Sequence, residues 1–176
     1  ITEYYKTDDY GKVTRWDLWT ECVSYLSNEM KCESLLDIGG ANGHFSFLCL
    51  NNNIESYTIE PRIDMVRSTE QEFIRHFGSK KNYCGNLKTF LNVIKENEDE
   101  IEFKFGCVSI LNFLHGKNHD INDIIGLVNY LPKITDYILV SDPDWRDLNT
   151  SNLFKDYQHI KSFGHDKIHK LYKITK

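Results

Sequence analysis

The sequence contains few prolines and cysteines and no long apolar run. Only 3 of its 176 residues are proline and 5 are cysteine. The cysteines are scattered, odd in number and never arranged as Cys-x-x-Cys, which argues against a disulfide framework or a zinc site. No apolar stretch approaches the ~18 residues that a membrane-spanning helix requires, and the first residues show no signal-peptide pattern. We therefore expect a cytoplasmic protein with reduced thiols and no membrane segment.

The composition is that of a folded globular domain. Hydrophobic residues make up 40% and charged residues 27%, which excludes a disordered chain. A single domain over residues 1–176 is expected, since domains usually have ~100–200 residues. The net charge of −5 disfavours a nucleic-acid partner, because non-specific nucleic-acid binders are basic. The chain begins with Ile rather than Met, so we expect a few residues to precede it.

Strand-like and helical patterns alternate along most of the chain. Apolar residues at helical spacing predict a first helix from Thr14 to about Glu29. A later helix is predicted to end at Pro132. Two β-patterned runs around Gly164 predict a C-terminal hairpin. The predicted strands are 34–38, 55–60, 82–85, 102–111, 137–141, 157–163 and 168–174, and the intervening helices begin near 44, 61, 87 and 121.

This order of elements predicts an α/β fold with a mostly parallel sheet, helices on both faces and an antiparallel hairpin at the end. Within the single domain, residues 1–32 would contain the N-terminal helix, 33–145 a ligand-binding core and 146–176 the hairpin. Ligands of such sheets bind at the carboxyl ends of the parallel strands, near the point where the strand order reverses.

A glycine-rich turn, residues 39–43 (GGANG), follows the first predicted strand. Glycine lets a ligand approach the backbone closely, although a purely structural turn could use the same residues. Asp37 lies just before the turn, and Glu60 ends the second strand 21 residues after Gly39. A carboxylate at that place can accept hydrogen bonds from both hydroxyls of a ribose. The spacing Asp-x-Gly-x-x-x-Gly differs from the Gly-x-Gly-x-x-Gly of dinucleotide-binding proteins.

These motifs resemble those of the class I S-adenosylmethionine-dependent methyltransferases. Residues 35–45 (LLDIGGANGHF) resemble their first motif and residues 57–60 (YTIE) the second. Residues 84–87 (CGNL) resemble the third motif, with Asn in place of the usual Asp, and residues 108–115 (VSILNFLH) resemble a strand-four motif of small-molecule members. The resemblance covers about residues 33–145, the cofactor-binding core, and implies that residues 1–32 form a lid and helix before it. It implies a Rossmann-like three-layer α/β/α sandwich with a seven-stranded sheet.

The same resemblance implies S-adenosylmethionine as cofactor and S-adenosylhomocysteine as its product. His44, directly after the glycine turn, could contact the cofactor carboxylate or simply face solvent. The cofactor-binding residues would be Asp37, Gly39, Gly40, Ala41, Gly43, Glu60, Pro61, Gly85, Asn86, Leu87, Ser109 and Ile110.

Methyl transfer from a sulfonium is an in-line displacement, so the protein aligns the acceptor and in some cases removes its proton. His115, just past the fourth strand, is the candidate base, although it could also have only a packing role. Asp142, at the end of the fifth strand, is the second catalytic candidate. Asp142 and Asp144 alone do not form a convincing metal site, because hard cations bind more oxygen ligands, so no metal is expected. The substrate-binding candidates are Tyr4, Tyr5, Tyr10, Asn112, Asp144 and Trp145.

Three classes of function stay open at this stage. The compact size, acidic charge and strand-four motif favour methyl transfer to an O or N atom of a small-molecule acceptor, by a monomer or homodimer. Residues 142–145 (DPDW) resemble the Asn/Asp-Pro-Pro-aromatic motif of amino-methyltransferases, which makes a nucleic-acid or protein acceptor the alternative. A third possibility is a homologue that binds the cofactor without catalysis. The lysine-rich residues 155–176 could bind an anionic partner or only form a solvated hairpin face.

Overall fold

The computed structural model describes residues 15–40, 43–64, 66–67, 82–84, 91–92, 96, 104–111, 121–141, 153–164 and 169–175. Three helices are described from end to end: α1 (Arg15–Asn28), α2 (His44–Asn51) and α3 (Ile121–Ile134). Its strands are β1 (Ser34–Ile38), β2 (Glu55–Glu60), β3 (Asn82–Cys84), β4 (Cys107–Ile110), β5 (Tyr137–Ser141), β6 (Gln158–Phe163) and β7 (His169–Lys173).

The strands form one sheet in the order β3-β2-β1-β4-β5-β7-β6. The pairs among β1 to β5 are parallel, whereas β7 is antiparallel to both β5 and β6. A mostly parallel sheet with an antiparallel C-terminal hairpin is therefore confirmed. The strand order reverses between β1 and β4, which places the carboxyl ends of these two strands at the expected ligand-binding edge.

Apolar side chains are buried on both faces of the sheet, because successive residues of a strand point to opposite sides. Leu35 and Leu139 belong to one cluster, which also contains the apolar residues of α1 and α2. Leu36 and Ile138 belong to a second cluster, which contains those of α3. All five residues of β1 are buried, as is typical of a central parallel strand.

The structure describes the side chains of four cysteines, and all four are buried free thiols: Cys22, Cys32, Cys49 and Cys107. Burial raises the pKa of each of them, that of Cys32 to about 11. They are therefore protonated at neutral pH and pack as small apolar side chains. No helix within the described ranges is both long and apolar enough to cross a membrane.

The predicted end of α3 at Pro132 is wrong, since the helix continues to Ile134. Proline has no N–H, so the carbonyl of Val128, four residues earlier, lacks its usual helical donor. The hydroxyl of Tyr157 donates a hydrogen bond to this carbonyl at 3.2 Å. Burial raises the pKa of Tyr157, which keeps the phenol protonated and able to donate. A tertiary contact thus satisfies the group that Pro132 leaves without a helical donor.

We expect Tyr157→Phe to lower the free energy of unfolding by about 1 kcal/mol, because it removes this hydrogen bond and keeps the ring. Urea denaturation of both proteins would measure the difference. The matched background is Pro132→Ala, which restores an N–H for Val128. There the effect of Tyr157→Phe should shrink towards zero, and an equal loss in both backgrounds would contradict the explanation.

Candidate functional site

The glycine turn after β1 lies against the carboxyl end of β2. The amide of Gly39 donates to the carbonyl of Ile59 at 2.8 Å, and that of Gly43 donates to the carbonyl of Gly40 at 2.7 Å. Gly39 and Gly43 have φ angles of 73° and 72°, in the left-handed region that favours glycine. Gly43 also forms the N-cap of α2 without a side-chain hydrogen bond. Gly39 and Gly40 therefore lie at the edge of the sheet, held by backbone hydrogen bonds.

Gly40 sits in a space that admits no side chain. A Cβ at this position would lie 1.9 Å from Oγ1 of Thr58 and 2.6 Å from Oδ2 of Asp37. Thr58 is fully buried, and its Oγ1 has no hydrogen-bond partner among the described residues. The turn, the hydroxyl and the carboxylate are thus in direct contact.

Asp37 is buried at the centre of this arrangement, with 2% of its surface exposed. It pairs in register with Thr58 on β2 and with Ser109 on β4. The hydroxyl of Ser109 donates to Oδ1 of Asp37 at 2.7 Å. Burial raises the pKa of Asp37 to about 7, the Ser109 hydrogen bond lowers it, and the nearby charge of Glu60 raises it. The carboxyl group of Asp37 therefore titrates close to neutral pH.

Glu60 ends β2 with only 2% of its surface exposed. Its Oε1 accepts a hydrogen bond from the backbone N–H of Arg62 at 3.1 Å and another from Nε of Arg62 at 2.6 Å. Arg62 is mostly exposed, so this ion pair holds the carboxylate at the strand end while the cation remains solvated. Arg62, two residues later in the chain, thus holds the Glu60 carboxylate in place.

The other predicted cofactor residues that the structure describes have different environments. Ser109 is fully buried against Asp37, and the side chain of Ile110 belongs to the apolar cluster that contains α3. Pro61 is exposed directly after β2. His44 is partly buried at the first position of α2, and burial lowers its pKa.

Many predicted site residues lie outside the described part of the chain, and the structure does not test them. They are the cofactor candidates Ala41, Gly85, Asn86 and Leu87, the catalytic candidates His115 and Asp142, and the substrate candidates Tyr4, Tyr5, Tyr10, Asn112, Asp144 and Trp145.

Thr58 and Arg62 are parts of the candidate site that the sequence analysis did not select as site residues. The alternation along β2 places Thr58 on the same face as Glu60, since both are buried. This pattern could have suggested Thr58, but its contact with the glycine turn depends on strand pairing. The sequence could also have suggested Arg62, because a cation two residues after Glu60 can pair with its carboxylate. Within the described ranges, no group of three His, Cys, Asp or Glu residues is arranged to hold a metal ion.

No protein-family model and no curated protein matches the chain. Solved structures do match it. Monomeric WbdD aligns with a TM-score of 0.67 at 17% identity, covering 90% of this chain and 40% of WbdD. WbdD is a bifunctional kinase-methyltransferase, and this chain spans about 40% of its length.

Two further structures align over most of the chain. TehB from Haemophilus influenzae has a TM-score of 0.64 at 8% identity, covering 88% of this chain and 62% of TehB. Magnesium protoporphyrin IX methyltransferase from Synechocystis PCC 6803, solved with bound S-adenosylmethionine, has a TM-score of 0.60 at 12% identity and covers 88% of this chain and 76% of its own. The chain therefore has the fold of the class I S-adenosylmethionine-dependent methyltransferases.

Proposed function

We propose that the protein is an S-adenosylmethionine-dependent methyltransferase that acts on an O or N atom of a small-molecule acceptor. The observation that carries the proposal is the constellation of Asp37, the glycine turn and Glu60 at the reversal point of the sheet. Two carboxylates and the backbone of Gly39 and Gly40 meet there, at the edge where this kind of sheet binds ligands. The fold shared with methyltransferases supports the same assignment.

The residues at this edge suit the two ends of the proposed cofactor. Glu60 is a strand-end carboxylate and can accept hydrogen bonds from the hydroxyls of a ribose. The backbone of Gly39 and Gly40 lies at this edge, where the methionine part of the cofactor would bind. Asp37 adds a carboxyl group below the turn, next to a hydroxyl of Thr58 that has no partner among the described residues. When bound, S-adenosylmethionine supplies an activated methyl group on a sulfonium.

The rest of the proposed site lies outside the described residues. We propose that Ala41, Gly85, Asn86 and Leu87 complete the cofactor site and that the chain as a whole forms a three-layer α/β/α sandwich. His115 and Asp142 are proposed as catalytic residues. The proposed acceptor site comprises Tyr4, Tyr5, Tyr10, Asn112, Asp144 and Trp145. We also propose a cytoplasmic monomer or homodimer, in line with the free thiols of the described core.

The acidic charge favours a small-molecule acceptor over a nucleic acid. One lysine of the C-terminal hairpin, Lys161, packs its Nζ 4.9 Å from the centre of the Tyr25 ring. This contact gives that lysine a packing role within the fold.

An acceptor screen that follows formation of S-adenosylhomocysteine should include small metabolites and RNA. Methylation of RNA that weakens with salt would overturn the choice of a small-molecule acceptor.

We expect Glu60→Gln to weaken binding of S-adenosylmethionine and S-adenosylhomocysteine about 10- to 100-fold, since hydrogen bonds to a charged group contribute about 1.5–3 kcal/mol. Isothermal titration calorimetry with both ligands measures this change. The matched control is Glu55→Gln, at the exposed amino end of the same strand, which should bind like the wild type. If the wild-type protein binds neither ligand, or if both variants bind equally, the proposed cofactor site is wrong.

A further inference from the structure

A chain of buried hydrogen bonds lies beside the proposed cofactor site and joins three more positions at the same edge of the sheet. The hydroxyl of Ser141, at the end of β5, donates to the carbonyl of Leu111, directly after β4. The same hydroxyl lies 3.0 Å from Nδ1 of His169, the first residue of β7. All three residues are 5% exposed or less.

The chemistry of these groups determines where the protons lie. A carbonyl oxygen carries no proton, so the single proton of the Ser141 hydroxyl points to Leu111. Ser141 then has only lone pairs to offer to His169, and Nδ1 of His169 must carry a proton and donate it. The neutral imidazole is therefore the Nδ1–H tautomer, in which Nε2 carries no proton.

These hydrogen bonds lie next to the one that holds Asp37, since both sets involve residues at the carboxyl end of β4. Ser109 of β4 donates to Asp37 of β1, and two residues later the carbonyl of Leu111 is held by Ser141 and, through it, by His169. The hydrogen bonds thus join β1, β4, β5 and β7, which are neighbours in the sheet. Because a peptide group is planar, holding the Leu111 carbonyl sets the plane in which the chain leaves β4.

We propose that His169 is a positioning residue for the cofactor site. Through Ser141 it fixes the carboxyl end of β4 and so the alignment of Ser109 with Asp37. The inference rests on the proposed function, because it assigns His169 to the same cofactor site.

Two substitutions of His169 separate positioning from simple packing. The side-chain amide nitrogen of Asn can occupy the place of Nδ1 and donate to Ser141, whereas the longer Gln places its amide near Nε2. With S-adenosylhomocysteine as the probe, we expect His169→Asn to bind within about twofold of the wild type. We expect His169→Gln and Ser141→Ala to bind about 5- to 20-fold more weakly, as for the loss of a buried hydrogen bond. His159→Gln, at an exposed histidine on β6, is the control and should not change the affinity.

A second measurement uses the unmodified protein and needs no variant to fold. Nitrogen NMR of histidine-labelled protein should show His169 as the Nδ1–H tautomer. Observation of the Nε2–H tautomer would overturn the inference, as would equal affinities of folded His169→Asn and His169→Gln. If the wild type binds neither S-adenosylhomocysteine nor S-adenosylmethionine, the proposed function fails, whereas wild-type binding with no difference between the two variants overturns the role of His169 alone.

Discussion

Replacement of Gly40 by alanine is expected to abolish cofactor binding and to destabilise the fold. The added methyl carbon would lie 1.9 Å from Oγ1 of Thr58 and 2.6 Å from Oδ2 of Asp37, and both groups are buried. Neither side chain is long enough to move aside, so the turn or the two strands must shift. Overpacking of this kind typically costs about 1–3 kcal/mol. We expect a loss of stability in that range, and affinity for S-adenosylmethionine reduced at least about 100-fold, because the turn would leave its place above Asp37.

Calorimetry and urea denaturation measure the two effects separately. The control is Gly126→Ala in α3, where, among the described residues, the added carbon would meet the end of the Leu91 side chain, at 3.3 Å. Alanine is favoured over glycine by about 1 kcal/mol inside a helix, so this variant should be neutral or stabilising and should bind normally. Combining Gly40→Ala with Thr58→Ala removes the shortest contact and should recover part of the lost stability. Wild-type affinity in Gly40→Ala would show that the turn does not contact the ligand.

Replacement of Asp37 by asparagine is expected to have opposite effects on stability and on binding. The amide oxygen of the new side chain can still accept the hydrogen bond from Ser109, but the side chain carries no charge into the buried site. Burial raises the pKa of Asp37 from 3.8 to about 7. Between these values the folded protein holds a proton that the unfolded chain has lost, so stability falls as the pH rises through this window. The variant should therefore gain about 1–4 kcal/mol over the wild type at pH 8, and little at pH 4.

The same substitution should weaken binding of S-adenosylmethionine about tenfold or more, because the ligand is cationic and the site loses a carboxylate. Urea denaturation at several pH values and calorimetry at pH 8 provide the data. Asp136→Asn is the control, since Asp136 is exposed and forms a surface ion pair with Lys104. Such pairs contribute about 0–1 kcal/mol, so this variant should change stability only slightly. An unchanged pH profile in Asp37→Asn would show that Asp37 is not the titrating group.

The strands were the most predictable part of the fold. β1, β2 and β5 have the predicted bounds, because short apolar runs between glycine, asparagine and charged residues are local patterns. β4 begins later than predicted, since Phe105 makes only an isolated bridge to Thr135 and Gly106 forms a bend. The end of α3 was mispredicted at Pro132 because the compensating donor, Tyr157, lies 29 residues from Val128. A local rule cannot anticipate such a partner.

The candidate site also has some features that are local in sequence and others that depend on tertiary contacts. Glycines after a strand and an acid at the end of the next strand are local features, and they were enough to indicate where a ligand would bind. The burial of Thr58 under Gly40 and the contacts of Arg62, Ser141 and His169 could not be read from the motifs. They depend on which strands are neighbours and in which register, and many sequences of β-forming residues allow several such pairings.

The sequence alone thus determined the order of strands and helices, the position of the glycine turn and the presence of Asp37 and Glu60 beside it. These features depend on residues close together in the chain, where backbone conformation and side-chain periodicity act directly. The tertiary structure alone decided that Asp37 meets Ser109, 72 residues away, and that its pKa lies near neutral. The physical reason is that hydrogen bonding and desolvation at this carboxyl group arise from distant segments, which come together only when the sheet has formed.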